Sequence, residues 1–311
     1  MNFVVGILSY MAGWFGERAV MFGGYKSSPA GGTNNIQYMT IMTTGNATDF
    51  GDLSFLSYAG AAMSNGIKGV HALGYDHSLA SRLNVIEYVL FATTGNSVDF
   101  GDLLADNYLF ASLSSNLRGI IAGGYIVTPV NINVIQYITI ATNGNTSNFG
   151  DLLSAMRSAS GGSNGDRGII MGGYTSNGIN VIQYFTIPTL GNSIDFGDMS
   201  QTRYANTVSG DKTRLISFGG VGNGTTKLNI MEYITTMTLG NTTDFGDLSA
   251  VRYYCATAAN STRALVMNGY NSLNAGQNII EYVTIQTTGN VTDFGDLTAS
   301  TLGSNQASSG N

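Results

Sequence analysis

Asn180–Met199 reads NVIQYFTIPTLGNSIDFGDM, and this stretch returns along the chain. Its second half, G-N-x-x-D-F-G-D-[LM], starts at Gly45, Gly95, Gly191, Gly240 and Gly289, and a sixth copy at Gly144 carries Asn148 in place of the first Asp. The steps between copies are 50, 49, 47, 49 and 49 residues. Three other phrases keep the same beat. Gly-Gly-Tyr or a variant ends at Tyr25, Tyr75, Tyr125, Tyr174, Val221 and Tyr270. A basic residue precedes it at Arg18, Lys68, Arg118, Arg167, Arg214 and Arg263. N-x-I-x-Y ends at Tyr38, Tyr88, Tyr137, Tyr184, Tyr233 (with Met231 for Ile) and Tyr282. Self-similarity at a fixed period of this length marks a repeat architecture.

Each copy reads as four short strands. In the fourth copy they fall at 154–160, 167–172, 180–188 and 193–199: a small-residue run, a short apolar run, a β-branched and aromatic run, and the D-F-G-D run, with turns between. No segment sustains an apolar period of 3.6 residues with caps, so almost no helix is expected. Four strands per unit, six times over, predict an all-β fold: a six-bladed β-propeller with four antiparallel strands per blade. The propeller is expected over 1–297, with blades at about 1–52, 53–102, 103–151, 152–198, 199–247 and 248–297. Residues 298–311 read as a Ser/Gly/Asn-rich tail. The apolar opening MNFVVGILSYMAGWF lacks a basic start, is too short to span a bilayer and falls in register with the repeat, so it reads as a strand. The ring is then expected to close by side-chain packing between the first and last blades, with the tail a linker or a loosely attached segment.

Composition narrows the function. Of 311 residues, 10% are charged, against roughly 25% in an average soluble domain. The net charge of −6 and pI near 4.7 argue against nucleic acid as a partner. One cysteine, Cys255, excludes an intrachain disulfide and a cysteine-rich zinc site, and two histidines, His71 and His77, leave little for His-based chemistry. Cys255 and His71 read as buried core residues. No cofactor and no membrane insertion are expected.

A strand ending in Gly172-Gly173, a loop, a strand carrying Tyr184 and a fourth strand followed by Arg203 resemble the Kelch repeat, and Arg157 and Arg252 follow their fourth strands in the same manner. The Trp of that family is absent, and Phe50, Phe100, Phe149, Phe196, Phe245 and Phe294 stand where it is expected. The wording I-x-Y-x-T-I-x-T-x-G-N-x-T-D-F-G-D-L resembles repeats in virion-associated proteins of marine bacteriophages. That resemblance implies an extracellular virion structural or appendage protein, with other virion proteins as partners and host-surface polysaccharide as a ligand. Ser97–Gly101 and Ser193–Gly197 are similar to the first half of the Asp box of sialidase-like propellers, again without its Trp. Because the polar groups occur as repeats and not once each, a non-enzymatic protein is expected. The alternatives are a cellular Kelch-type adaptor, which predicts an appended partner domain, and a glycosidase, which predicts two carboxylates off the repeat.

Eleven of the 19 acidic residues sit in the D-F-G-D phrase. They read either as calcium ligands or, as expected here, as structural turns in which one Asp accepts backbone N–H bonds and another pairs with the repeated Arg or Lys. No metal site and no catalytic residue are assigned. The loops between second and third strands vary most, and variable loops on a rigid frame are where binding concentrates. The candidate ligand-binding residues are therefore Lys26, Asp76, His77, Arg82 and Lys227 in those loops, with Tyr25, Tyr75, Tyr125, Tyr174 and Tyr270 at their openings.

Overall fold

The computed structural model describes residues 16–27, 30–126, 130–301 and 306–310, so the strand expected within 1–15 lies outside the described residues. Among these residues strands alternate with turns, and no helix occurs. Each repeat forms a group of four antiparallel strands. The third runs Ala111–Ser114, Arg118–Ala122, Ile132–Thr139 and Ser147–Met156, paired in that order from inner to outer. The fourth is Ser160–Ser163, Arg167–Met171, Ile179–Thr186 and Ile194–Arg203; the fifth is Thr207–Gly210, Arg214–Phe218, Ile230–Thr235 and Thr243–Asp247; the sixth is Ala256–Ala259, Arg263–Met267, Gln277–Thr284 and Thr292–Thr301. The second is Ala61–Ser64, Lys68–Ala72, Ser81–Leu90 and Val98–Asn107. A two-residue strand, Tyr75–Asp76, pairs with the end of the first unit's outer strand and joins the first two groups into one sheet.

Most outer strands continue past the D-[LM] that closes the repeated phrase, so in the fourth unit the inner strand begins at Ser160 and not at 154. The first unit corrects a second expectation. Its own strands are Arg18–Ser27, Ala30–Thr40 and Thr48–Tyr58, and its inner place is filled by Gln306–Gly310, antiparallel to Arg18–Phe22. The segment read as a linker is a strand, and it neighbours both Ala61–Ser64 and Ala256–Ala259.

The core lies between units. The second strands are buried on both faces, as strands covered by neighbouring sheets must be. Six apolar clusters form, and each joins two consecutive units; Met21, Ile41 and Met39 of the first pack with Leu265, Met267 and Phe294 of the sixth. The phenylalanine of each D-F-G-D is buried, edge-on to the tyrosine of N-x-I-x-Y at 5.9–6.2 Å. These phenylalanines fill the core between neighbouring units.

The repeated phrase is a clasp between units. The Gly95 N–H donates to Phe50 O at 2.8 Å, the Ser97 N–H donates to Asp52 O at 2.9 Å, and the Asp52 N–H donates to Asn96 Oδ1 at 3.1 Å. The same three bonds recur at every step, including between the sixth unit and the first, where Gly45 and Ala47 donate to Phe294 O and Asp296 O and the Asp296 N–H donates to Asn46 Oδ1. The glycine of D-F-G-D is required here: a Cβ on Gly51 would overlap the carbonyl of Gly95. The Asp side chains do not serve as expected. Among the described residues they form no ion pair with the repeated basic residues, and their one side-chain hydrogen bond is from Asn35 Nδ2 to Asp49, at 3.0 Å. The basic residues instead lie 4.1–4.6 Å over the N-x-I-x-Y rings and donate to carbonyls of the next unit, as Arg167 does to Thr236 O at 3.0 Å.

Candidate functional site

At the opposite end of the sheets the Gly-Gly-Tyr turn meets the end of the preceding unit's outer strand. In the fourth unit Gly172 and Gly173 hold left-handed φ values of 66° and 124°, and a side chain on Gly172 would strike Arg203 O. The turn delivers Tyr174 to Arg157, and the two exchange backbone bonds at 2.7 and 3.0 Å. Tyr204 with Val221, and Tyr253 with Tyr270, repeat the exchange; the Tyr125 N–H donates to Tyr108 O, and Tyr58 is paired with Tyr75.

Backbone pairing thus lines up side chains from two repeat positions. One holds Tyr25, Tyr75, Tyr125, Tyr174, Val221 and Tyr270; the other holds Tyr58, Tyr108, Arg157, Tyr204 and Tyr253. Their rings form a half-buried girdle. Tyr25–Tyr58, Tyr58–Tyr75, Tyr75–Tyr108 and Tyr108–Tyr125 follow at 5.1–5.8 Å between centroids, Tyr174–Tyr204 at 5.1 Å and Tyr253–Tyr270 at 5.0 Å. Such edge-on and stacked pairs are each worth about 1 kcal/mol beyond area burial. Burial, and then the neighbouring rings, push the Tyr58 hydroxyl up to about 12 and raise Tyr270; burial comes first in raising Tyr253 as well. These three phenols hold their protons, and Tyr253 donates its own to Asn274 Oδ1 at 2.9 Å.

Inside the girdle, Ala59, Leu109, Ser158, Ala205 and Tyr254 share one repeat position, and all are left-handed, with φ of 54–57°. Each passes a backbone bond to the next: the Leu109 N–H donates to Ala59 O, Ser158 to Leu109 O, Ala205 to Ser158 O and Tyr254 to Ala205 O, at 2.7–2.9 Å. The Tyr254 and Ser158 hydroxyls meet at 3.0 Å. The cavity these residues line has a volume of about 30 Å³, enough for a water.

The five tyrosines assigned from the sequence all lie in the girdle. The charged candidates divide. Arg82 is half-buried, with its guanidinium over Tyr108 and Tyr125 at 5.0 and 5.5 Å. Lys227 spends its ammonium on Ser272 O and Asn274 Oδ1, at 2.9 and 2.6 Å. His77 is exposed and packs edge-on to Tyr25 at 5.6 Å. Lys26 is half-buried beside Tyr25 in its strand. Asp76 is not a ligand-facing group: it is buried, and one carboxylate oxygen caps its own turn by accepting from the Ser78 and Leu79 N–H groups at 2.6 and 2.9 Å. Tyr58, Tyr108, Tyr204, Tyr253 and Arg157 are in the girdle but not among the candidates the sequence offers. Their shared offset of thirteen residues from the Gly-Asn glycine was available in the sequence.

Arg157 also departs from the Kelch-like reading that grouped it with Arg203 and Arg252. Those two lie one repeat position earlier and are buried against Glu232 (3.2 Å) and Glu281; burial lowers the pKa of both guanidiniums. Arg157 faces the girdle, 4.8 Å over Tyr125 and 4.6 Å over Tyr174. His71 and Cys255 are buried as expected, and burial lowers His71 to about 3 and raises Cys255 to about 11. Among the described residues no three His, Cys, Asp or Glu side chains converge as a metal-binding group. No protein-family model and no curated protein matches the chain.

Proposed function

We propose that this protein is a closed six-bladed β-propeller acting as a non-enzymatic recognition scaffold, and that its tyrosine girdle and the loops around it bind carbohydrate on a host surface. The cyclic order of the clasps supports the ring, because sixth-to-first bonds repeat those of every other step. The observation that carries the binding reading is the girdle itself. Tyrosine side chains offer apolar ring faces and hydroxyl groups together, which suits the two sides of a sugar. The extracellular, virion-borne setting and the Kelch-like ancestry rest on the wording of the repeat, and other virion proteins are the partners that setting implies.

The test is retention on beads coated with bacterial surface polysaccharide, for the native protein and for Tyr75→Ala with Tyr125→Ala. The native protein is expected to be retained and the double variant to wash through. Equal retention of both removes the girdle from the reading; retention of neither removes carbohydrate. Mass spectrometry of purified virus particles tests the setting.

A further inference from the structure

We propose that the sector of the girdle between Arg82 and Tyr174 is a subsite for an anionic sugar, one bearing a carboxylate or a sulfate. This rests on the carbohydrate reading above and adds the charge of the ligand.

Four of the five described units place tyrosine at the Arg157 position. The third unit alone puts a cation there. A second cation, Arg82, comes from the neighbouring loop, so two guanidiniums lie within 5.5 Å of the Tyr125 centroid. Neither is in an ion pair among the described residues, whereas Arg203 and Arg252 each have a glutamate. The Arg82 Nε is buried and has no hydrogen-bond partner. Two cations that share one ring and have no carboxylate partner make the sector locally positive, which favours an anionic ligand.

The sector is also held in place. Arg157 Nη1 donates to Asn131 Oδ1 at 2.8 Å, and Asn131 Nδ2 donates to Tyr174 O and Thr175 O at 3.2 and 2.9 Å. The amide is thereby fixed with its oxygen toward the guanidinium. A guanidinium carries five N–H donors in one plane, and two that no protein acceptor takes can grip a carboxylate or sulfate with parallel bonds. Lys227 lacks this freedom, since its own loop already satisfies it. With a net charge of −6, the protein has no general attraction for polyanions, so binding of one would point to a local site.

The probes are polygalacturonate, dextran sulfate and neutral dextran, titrated by calorimetry at low and moderate salt. The variants are Arg82→Gln and Arg157→Tyr, alone and together. Arg157→Tyr installs the residue found at the equivalent position in four units, so an aromatic ring stays in the girdle while the charge and the bond to Asn131 Oδ1 are lost. The expected result is salt-sensitive binding of at least one anionic polymer, tighter than neutral dextran and weakened at least tenfold in the double variant. The two anionic polymers tell carboxylate from sulfate. Equal binding of dextran and the anionic polymers overturns the inference and leaves the carbohydrate reading standing, as does a double variant that keeps its anionic preference. Binding of no polymer by the native protein overturns both. Should Arg82→Gln fail to fold, Arg157→Tyr decides alone: an unchanged anionic preference overturns the inference.

Discussion

The clasp between units makes a prediction that two alanine substitutions isolate. Gly197 and Gly240 share φ of +149°, so alanine meets the same backbone strain at both. They differ in surroundings. A Cβ on Gly240 has nothing within 4 Å, whereas one on Gly197 would lie closer than 3.0 Å to the backbone carbonyl of Gly240 in the next unit. Backbone cannot swing aside as a side chain can, so Gly197→Ala must push the neighbouring turn away. Three bonds go with it: Gly240 N–H to Phe196 O and Thr242 N–H to Asp198 O, both at 2.9 Å, and Asp198 N–H to Asn241 Oδ1 at 3.0 Å. At about 1 kcal/mol each, the difference between the two variants is about 3 kcal/mol. With a urea slope of about 3 kcal/mol/M for a chain of this size, Gly197→Ala should unfold about 1 M earlier than Gly240→Ala. Equal midpoints would refute the clasp.

Three further outcomes are expected. Glu87 is buried without a cation and accepts from Ser97 Oγ at 2.6 Å and from the Ser54 N–H at 3.3 Å; burial raises its pKa above 4.5. The folded state therefore holds a proton that the unfolded state releases, and stability falls as pH rises from about 4.5 through the raised value. Glu87→Gln, the residue that Gln37, Gln136 and Gln183 represent in other units, should raise the melting temperature at pH 7 and leave it unchanged at pH 4. Glu281→Ala leaves the guanidinium of Arg252 buried and unpaired and should cost about 3–5 kcal/mol in urea unfolding; Glu281→Gln should cost less. EGTA should leave the melting temperature unchanged, and a large drop would show that the exposed Asp residues of D-F-G-D hold a cation.

The period, the four strands per unit and the burial of His71 and Cys255 could be read from residues alone, because hydrophobic pattern and turn chemistry are local. Repetition of an Asp does not say which of its atoms is used: here the backbone of Asp52 and its equivalents makes the contact. The tyrosines at the Tyr58 position were hidden by the Arg157 copy and by Val221 opposite Tyr204, which break the pattern by eye but not the backbone pairing. The final strand is hard to read from sequence because QASSG is scarcely apolar. Yet AAMS, ASLS, SGGS, TVSG and ATAA are the other inner strands. Where inner strands crowd together, smallness is the requirement and hydrophobicity is not.

That last strand sets an order on folding during synthesis. The second to sixth sheets are built from hairpins between neighbouring segments, and each can form soon after its residues leave the ribosome. The first sheet cannot. Arg18–Phe22 must wait, with one edge unpaired, until Gln306–Gly310 arrives. An open edge is a template for other chains, so Arg18–Phe22 is open to mispairing while the second to sixth units are synthesised.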